Sequence, residues 1–193
     1  MERRTLKMHN PQVREREGAR YLEGYFAVFG QEYEVWPGWI ETVERGAFAP
    51  WLASGKDTKV LWNHDSNIVL GSTANGTATL REDETGLWGS VLINEKDQDA
   101  VNAHARVERG DVDGCSFGFE IVRQEEWWDD HGVYHTKILE VDLHEVSPCT
   151  FPAYTSTTVS TRTREQYEAA RQEKREKWRT AMMRRLKGEN YGT

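Results

Sequence analysis

The run Arg109-Gly110-Asp111-Val112-Asp113-Gly114-Cys115-Ser116-Phe117-Gly118-Phe119 restricts this chain more than any other part of it. An acidic turn bounded by two glycines feeds into an alternation of bulky and small residues, which is how a β-strand divides its side chains between two faces. Phe117 and Phe119 fall on one face, and Ser116 and Gly118 on the other. The rings need a core to pack against. The serine side is expected to stay open, with Ser116 at the mouth of the strand.

The chain on either side supplies partners for that strand. Tyr21 to Phe29 is aromatic and β-prone, with Gly24 as a bulge or point of close approach. Trp36-Pro37-Gly38 predicts a turn and Trp39 to Val43 a short strand. Gly46 to Leu52 predicts a short helix, with Pro50 tolerated in its first turn and Gly55 past its end. Lys59-Val60-Leu61-Trp62 predicts a buried strand that delivers Asn63, His64 and Asp65 to its end. Ile68 to Gly71, Gly76 to Leu80 and Gly86 to Ile93 read as further strands, with Glu82 to Gly86 as a hairpin turn. The sheet is therefore expected to be mostly antiparallel.

Asn94 is placed as the cap of a helix running to about Arg109, with Ala100, Val101, Ala103, His104 and Val107 along its apolar stripe. Past the Ser116 strand, Glu125 to Gly132 form an acidic hairpin tip and Val133 to Leu139 return. The last strand, Leu139 to Ser147, runs into Pro148. Regular alternation along it sets Val141, Leu143 and Glu145 on one face and Asp142, His144 and Val146 on the other. A carboxylate on the apolar face needs a partner.

The two ends differ from this middle. Residues 1–19 are charged and aperiodic and read as a mobile arm. Thr163 opens a helix, with Gln166 placed as in a capping box, running to about Lys187. Nine Lys/Arg against four Glu between Arg164 and Lys187 give that segment about +5, whereas the whole chain carries -7. The expected division is thus 1–19 as arm, 20–162 as the folded domain and 163–193 as a basic helical tail, suited to an acidic surface or a partner groove or simply solvated. The acidic balance argues against general nucleic-acid binding. No apolar run approaches the ~18 residues that cross a bilayer, and the N-terminus lacks the apolar stretch of a signal peptide, so a soluble cytoplasmic protein with no membrane partner is expected. Cys115 and Cys149 are too few for a disulfide framework and read as reduced.

The chemistry-bearing residues converge on one reaction type. A serine hydroxyl is a poor nucleophile near neutral pH; it needs an imidazole to take its proton and a third group to fix the tautomer of that imidazole. Ser116, His64 and a carboxylate or second histidine on the last strand can play these parts, Glu145 being the carboxylate. Backbone N–H groups around Gly114 to Phe117, or from a neighbouring loop, would serve a developing oxyanion. Gly114-Cys115-Ser116-Phe117-Gly118 matches Gly-x-Ser-x-Gly formally, but a strand follows the serine where an α/β-hydrolase has a helix. A metal hydrolase built on His64, Asp65, His104 and Glu108 fails on spacing, since no second histidine shares the helix of His104. Cys115 is the alternative nucleophile, but it faces away from Ser116, so only one of the two can meet His64.

Five ordered blocks add a resemblance. Gly24 to Phe29, Glu44-Arg45-Gly46-Ala47-Phe48, Leu61 to Asp65 with Leu70-Gly71, Arg109 to Phe119, and Glu145-Val146-Ser147-Pro148-Cys149-Thr150-Phe151-Pro152-Ala153-Tyr154 together resemble the HK97-family prohead (capsid maturation) proteases of tailed phages, over roughly residues 20 to 162. The resemblance implies an α+β fold akin to the herpesvirus assemblins, a small, mostly antiparallel β-barrel with short helices around it. It implies a serine endopeptidase without cofactor or metal, acting inside the assembling procapsid in the host cytoplasm. Its substrates would be scaffold protein or the scaffolding segment of the major capsid protein, and itself. By motif His64 is the general base and Ser116 the nucleophile. Herpesvirus enzymes use a second histidine as third member, and this chain offers both His144 and Glu145; Glu145 is favoured because it lies in the resembling block. The contrasting expectation is a non-catalytic assembly or scaffold-like protein that keeps the fold.

Overall fold

A computed structural model describes residues 2–7, 12–16, 18–150 and 161–186 of the 193-residue chain. The β-prone runs become β1 (Glu2–Lys7), β2 (Gln12–Arg16), β3 (Ala19–Val28), β4 (Tyr33–Trp36), β5 (Trp39–Val43), β6 (Lys59–Trp62), β7 (Asp65–Ser72), β8 (Ala78–Glu82), β9 (Gly86–Leu92), β10 (Gly114–Trp128) and β11 (Tyr134–Cys149). The helices are α1 (Ala49–Ala53), α2 (Gln98–Glu108) and α3 (Thr161–Leu186). The chain separates into two compact units, Met1–Thr158 and Val159–Thr193.

In the first unit the strands form two sheets. One has the order β1-β10-β11-β5-β4, with β6 joined to β11 and β7 to β6; the other has the order β2-β3-β9-β8. Pairing is antiparallel except where β11 runs parallel to β5 and β6. The α+β class holds, but the expected barrel does not: among the described residues no ladder closes either sheet on itself or joins one to the other. The reason lies in the long β10–β11 hairpin. Its far half takes β5 as neighbour along Tyr134↔Trp39 to Ile138↔Val43, and β5 takes β4, so the free edge of β11 is filled by strands of its own sheet and not by the second sheet.

Core and sheets follow from alternation. Phe117 and Phe119 of β10 and Leu143 and Val146 of β11 are fully buried with Leu22 and Phe26 of β3 and Leu87 and Val91 of β9. Phe117 stacks on Phe119 at 4.9 Å and meets Phe48 edge-on at 5.5 Å, contacts worth about 0.5–1.5 kcal/mol each beyond the area they bury. The aromatic side of the β10 strand is thus the floor of the core.

Two local expectations are corrected. Residues 2–7 and 12–16, read as part of a mobile arm, are strands: β1 lies along β10 from Glu2↔Phe119 to Lys7↔Gly114, and β2 along β3. Polar sequence conceals a strand whose hydrogen bonds come from its neighbour, because backbone pairing is indifferent to side-chain hydropathy. Arg16 also reaches the buried Glu23 at 2.9 Å, tying β2 down by charge. The second correction is the cap of α2. Asp97 accepts from the Asp99 amide at 3.0 Å as N-cap, whereas Asn94 makes a turn one step earlier by accepting from the Lys96 amide. Gly110, with φ of 82°, takes the left-handed position that ends the helix.

In the second unit, α3 begins two residues before the expected Thr163. A Lys177–Glu173 pair at 2.6 Å links successive turns, and Trp178 is exposed.

His104 of α2 is 2 % exposed, and neither ring nitrogen has a hydrogen-bond partner among the described residues. Burial lowers its pKa from the ordinary 6.5; Glu108 opposes that shift and Arg20 adds to it. The folded state therefore binds fewer protons at this site than the unfolded chain, so the site's stability contribution is present above the unfolded value and is lost as pH falls from there through the lowered folded value. Urea unfolding should show stability dropping as pH falls below the ordinary 6.5, with a shallower drop in His104→Leu. An unchanged slope in that variant would mean that other groups set the acid sensitivity.

Candidate active site

His64 sits in the two-residue turn between β6 and β7. Trp62 pairs with Asp65 across it, and Asn63 and His64 adopt φ of 51° and 62°. A two-residue hairpin whose twist matches its strands needs positive φ at both central positions. Asparagine tolerates this; histidine does so at a cost of about 1–2 kcal/mol. The turn is fastened to the end of β11. The Asn63 amide donates to the Pro148 carbonyl at 3.1 Å, Asn63 Oδ1 accepts from the Thr150 amide at 2.8 Å, and Asn63 Nδ2 donates to Thr150 Oγ1 at 3.2 Å. The His64 amide donates to Ser147 Oγ at 3.3 Å.

Glu145 reaches this turn because β11 breaks its own alternation. Gly118 pairs with Glu145 and the next residue, Phe119, pairs with Leu143, which leaves His144 as an extra residue on β11. Such a bulge shifts the phase of the strand. Val146 opposite Phe117 and Leu143 opposite Phe119 therefore both face the core, although they are three residues apart. Glu145 and Ser147 turn to the other face, with Ser116 and Gly118. The expectation that Val141, Leu143 and Glu145 share a face assumed an unbroken strand and is corrected here.

On that face Glu145 is 3 % exposed, yet both of its oxygens are engaged. Oε1 lies 2.6 Å from His64 Nδ1, and Oε2 accepts from Ser147 Oγ at 2.6 Å. An ionised carboxylate only accepts, so Nδ1 carries the imidazole proton and the lone pair is left on Nε2. Gly118 makes room beneath: a Cβ there would collide with Glu145 Oε1. His144 goes elsewhere, edge-on to Trp51 at 5.7 Å and 3.6 Å from Glu120.

Ser116, third residue of β10, is the register partner of Ser147, so the two share a face about 4.5–5.5 Å apart at Cα. It is 0 % exposed, in contrast to the open strand mouth expected for it: Glu145 and Ser147 on the same face are buried as well, so this face of the ladder is covered and not solvated. Cys115 belongs to the core cluster, and burial, with Cys149 nearby, pushes its thiol well above the ordinary range, which makes it inert as a nucleophile. The metal set is not assembled: His104 pairs only loosely with Glu108 at 4.0 Å, and Asp65 accepts from Asn67 within its own strand. No cluster of three or more His, Cys, Asp or Glu is arranged to hold a metal ion among the described residues.

Sequence reasoning passed over Ser147, Asn63 and the part played by Gly118. Ser147 had a signal, since it lies two residues after Glu145 and therefore on its face of the strand.

Compared with known proteins, residues 8–172 match the family model described as the caudovirus prohead serine protease. Among solved structures, the bacteriophage T4 capsid assembly protease, gp21, is similar at 11 % identity, covering 77 % of this chain and 99 % of that chain with a TM-score of 0.42. No curated protein matches.

The geometry around Gly118 yields a direct test. Gly118→Ala should push the Glu145 carboxylate off the imidazole, abolishing the downfield proton resonance that a short Nδ1–H···O bond gives in NMR, while the far-UV CD spectrum stays that of the wild type. A retained resonance would show that the carboxylate does not lie where a side chain at 118 must go.

Proposed function

Since the chain belongs to the caudovirus prohead serine protease family, whose model spans most of its length, we propose that it is an active serine endopeptidase that matures a phage procapsid. One observation carries the proposal: the 2.6 Å contact of His64 Nδ1 with Glu145, on the face of β10–β11 that also holds Ser116. Ser116 Oγ attacks the scissile carbonyl as His64 Nε2 takes its proton. The resulting imidazolium, steadied by Glu145, returns that proton to the leaving amine, and a water molecule then repeats the cycle to release the acyl group.

β10 is paired on both sides over Gly114 to Phe117, which draws its N–H groups into interstrand hydrogen bonds. We therefore assign the oxyanion donors to a neighbouring loop. Ser116 is shielded from solvent, so a polypeptide meets it only by displacing what covers it.

The substrates in this reading are scaffold protein or the scaffolding segment of the major capsid protein, together with the enzyme itself, inside the procapsid in the host cytoplasm. No nucleic acid, membrane or cofactor takes part, and self-association fits a protease packaged at high local concentration. We place the protease domain at 20–162, with β1 and β2 completing its sheets, and treat 163–193 as a basic tail. A non-catalytic scaffold role is disfavoured, because it has no use for a buried carboxylate aimed at a strained histidine.

Ser116→Ala should keep the fold and abolish processing of a co-expressed major capsid or scaffold protein, read by intact-mass spectrometry. His64→Ala should fail as completely, and Glu145→Gln should fall by several orders of magnitude, because members of such a triad act as a unit. Continued processing by Ser116→Ala would refute the proposal. Chelation with EDTA should leave processing unchanged.

A further inference from the structure

Beyond the three residues named above, one buried hydroxyl is bonded to both halves of the site. Ser147 is fully buried on the site face of β11 and uses its oxygen in two directions. It donates to Glu145 Oε2 at 2.6 Å and accepts from the His64 amide at 3.3 Å. The first bond fixes the rotation of the carboxylate, so that the other oxygen meets Nδ1. The second holds the backbone of the turn that carries the imidazole. A single atom thus sets the distance between two side chains that lie 81 positions apart in the chain.

Resting on the serine-protease reading, we propose that Ser147 is a positioning residue: its hydroxyl orients Glu145 and the His64 turn as one unit and moderates the charge that Glu145 presents to the imidazole. It is not a second nucleophile. Its proton is committed to a carboxylate, on the oxygen that does not meet Nδ1, and the same hydroxyl accepts from a backbone amide. Asn63 fastens the same turn through Thr150 and Pro148, neither of which touches Glu145 in these bonds, which makes Ser147 the link that includes the carboxylate.

The chemistry gives a signature that simple destabilisation lacks. Without the Ser147 donor, the negative charge on Glu145 is no longer shared with a hydroxyl and falls more fully on the imidazole, favouring its protonated, inactive form. Ser147→Ala should therefore lower kcat about 10- to 100-fold, the range of one hydrogen bond to a charged group, with KM little changed. The acid limb of its pH–rate profile should also move to higher pH. Ser147→Thr, which keeps the hydroxyl, should recover most of the rate and restore the acid limb.

The experiment is steady-state cleavage of a peptide spanning a processed junction, identified by mass spectrometry, by the full chain and both variants between about pH 5 and 9, with thermal unfolding run in parallel. An alanine variant that keeps the wild-type kcat or the wild-type acid limb overturns the proposal, as does a folded threonine variant no more active than alanine. Because an unfolded variant is silent in kinetics, the downfield Nδ1 proton is followed as well: it should be displaced or lost in Ser147→Ala and present in Ser147→Thr, and an unmoved resonance in the alanine variant also counts against the role. Ser116→Ala in the same assay separates the two levels. If it is dead while Ser147→Ala is indistinguishable from wild type, the positioning role fails and the protease reading stands; if it still cleaves, both fall.

Discussion

The bond between His64 and Glu145 is the constraint to which the rest of this structure is fitted. A carboxylate with almost no solvent contact persists as an anion only when each oxygen has a partner, and removal of one partner leaves an uncompensated charge. Glu145 satisfies that demand with an imidazole on one oxygen and a hydroxyl on the other. One partner is 81 positions away in the chain and the other two, and neither is free to choose another place. His64 is set by a tight turn stitched to the end of β11, and Ser147 by its position two residues along the same strand.

In the β10–β11 ladder one pair of strands serves the core and the candidate site at once. On one face Phe117, Phe119, Leu143 and Val146 enter the core. On the other, Ser116, Gly118, Glu145 and Ser147 form a polar patch that is nearly as well shielded. The rigidity the site needs comes from the rings behind it, since side chains in a close-packed interior hold their rotamers. Loosening the aromatic face would blur the distances on the polar one. The two faces therefore cannot vary independently, and the bulge at His144 is what allows residues three apart to serve the same side.

Much of this was legible in the sequence, and what was not has a common cause. The alternation from Ser116 to Phe119 set which side holds rings and which a hydroxyl, and the polar end of an apolar run placed His64 just past a buried strand. Both are local patterns, read from side-chain type and spacing. The bulge at His144 depends on which residue of β10 faces which residue of β11, and pairing register is not written in either strand alone. For the same reason the strand character of residues 2–7 and 12–16 was hidden, since their hydrogen bonds are supplied by β10 and β3. The expected barrel failed on an equally non-local point, namely where the far half of the hairpin finds its partners. Ser147 is the exception: period-two spacing from Glu145 placed it on the right face, and only the meaning of that placement needed coordinates.

The turn at Asn63-His64 explains why so much hydrogen bonding is gathered at one hairpin. Left-handed backbone at a histidine costs about 1–2 kcal/mol, so an isolated hairpin with this turn would relax into another geometry. Three bonds from Asn63 to residues 148 and 150, and one from the His64 amide to Ser147, outweigh that tendency. They also do something that a relaxed loop could not. Because every anchor lies on the segment just beyond Glu145, the turn and the carboxylate share one support, and displacement of β11 carries both along. Their separation is thereby insulated from movements elsewhere in the sheet. That is the property the proposed role of His64 as proton acceptor requires, since a base serves only while its distance to its orienting carboxylate is held.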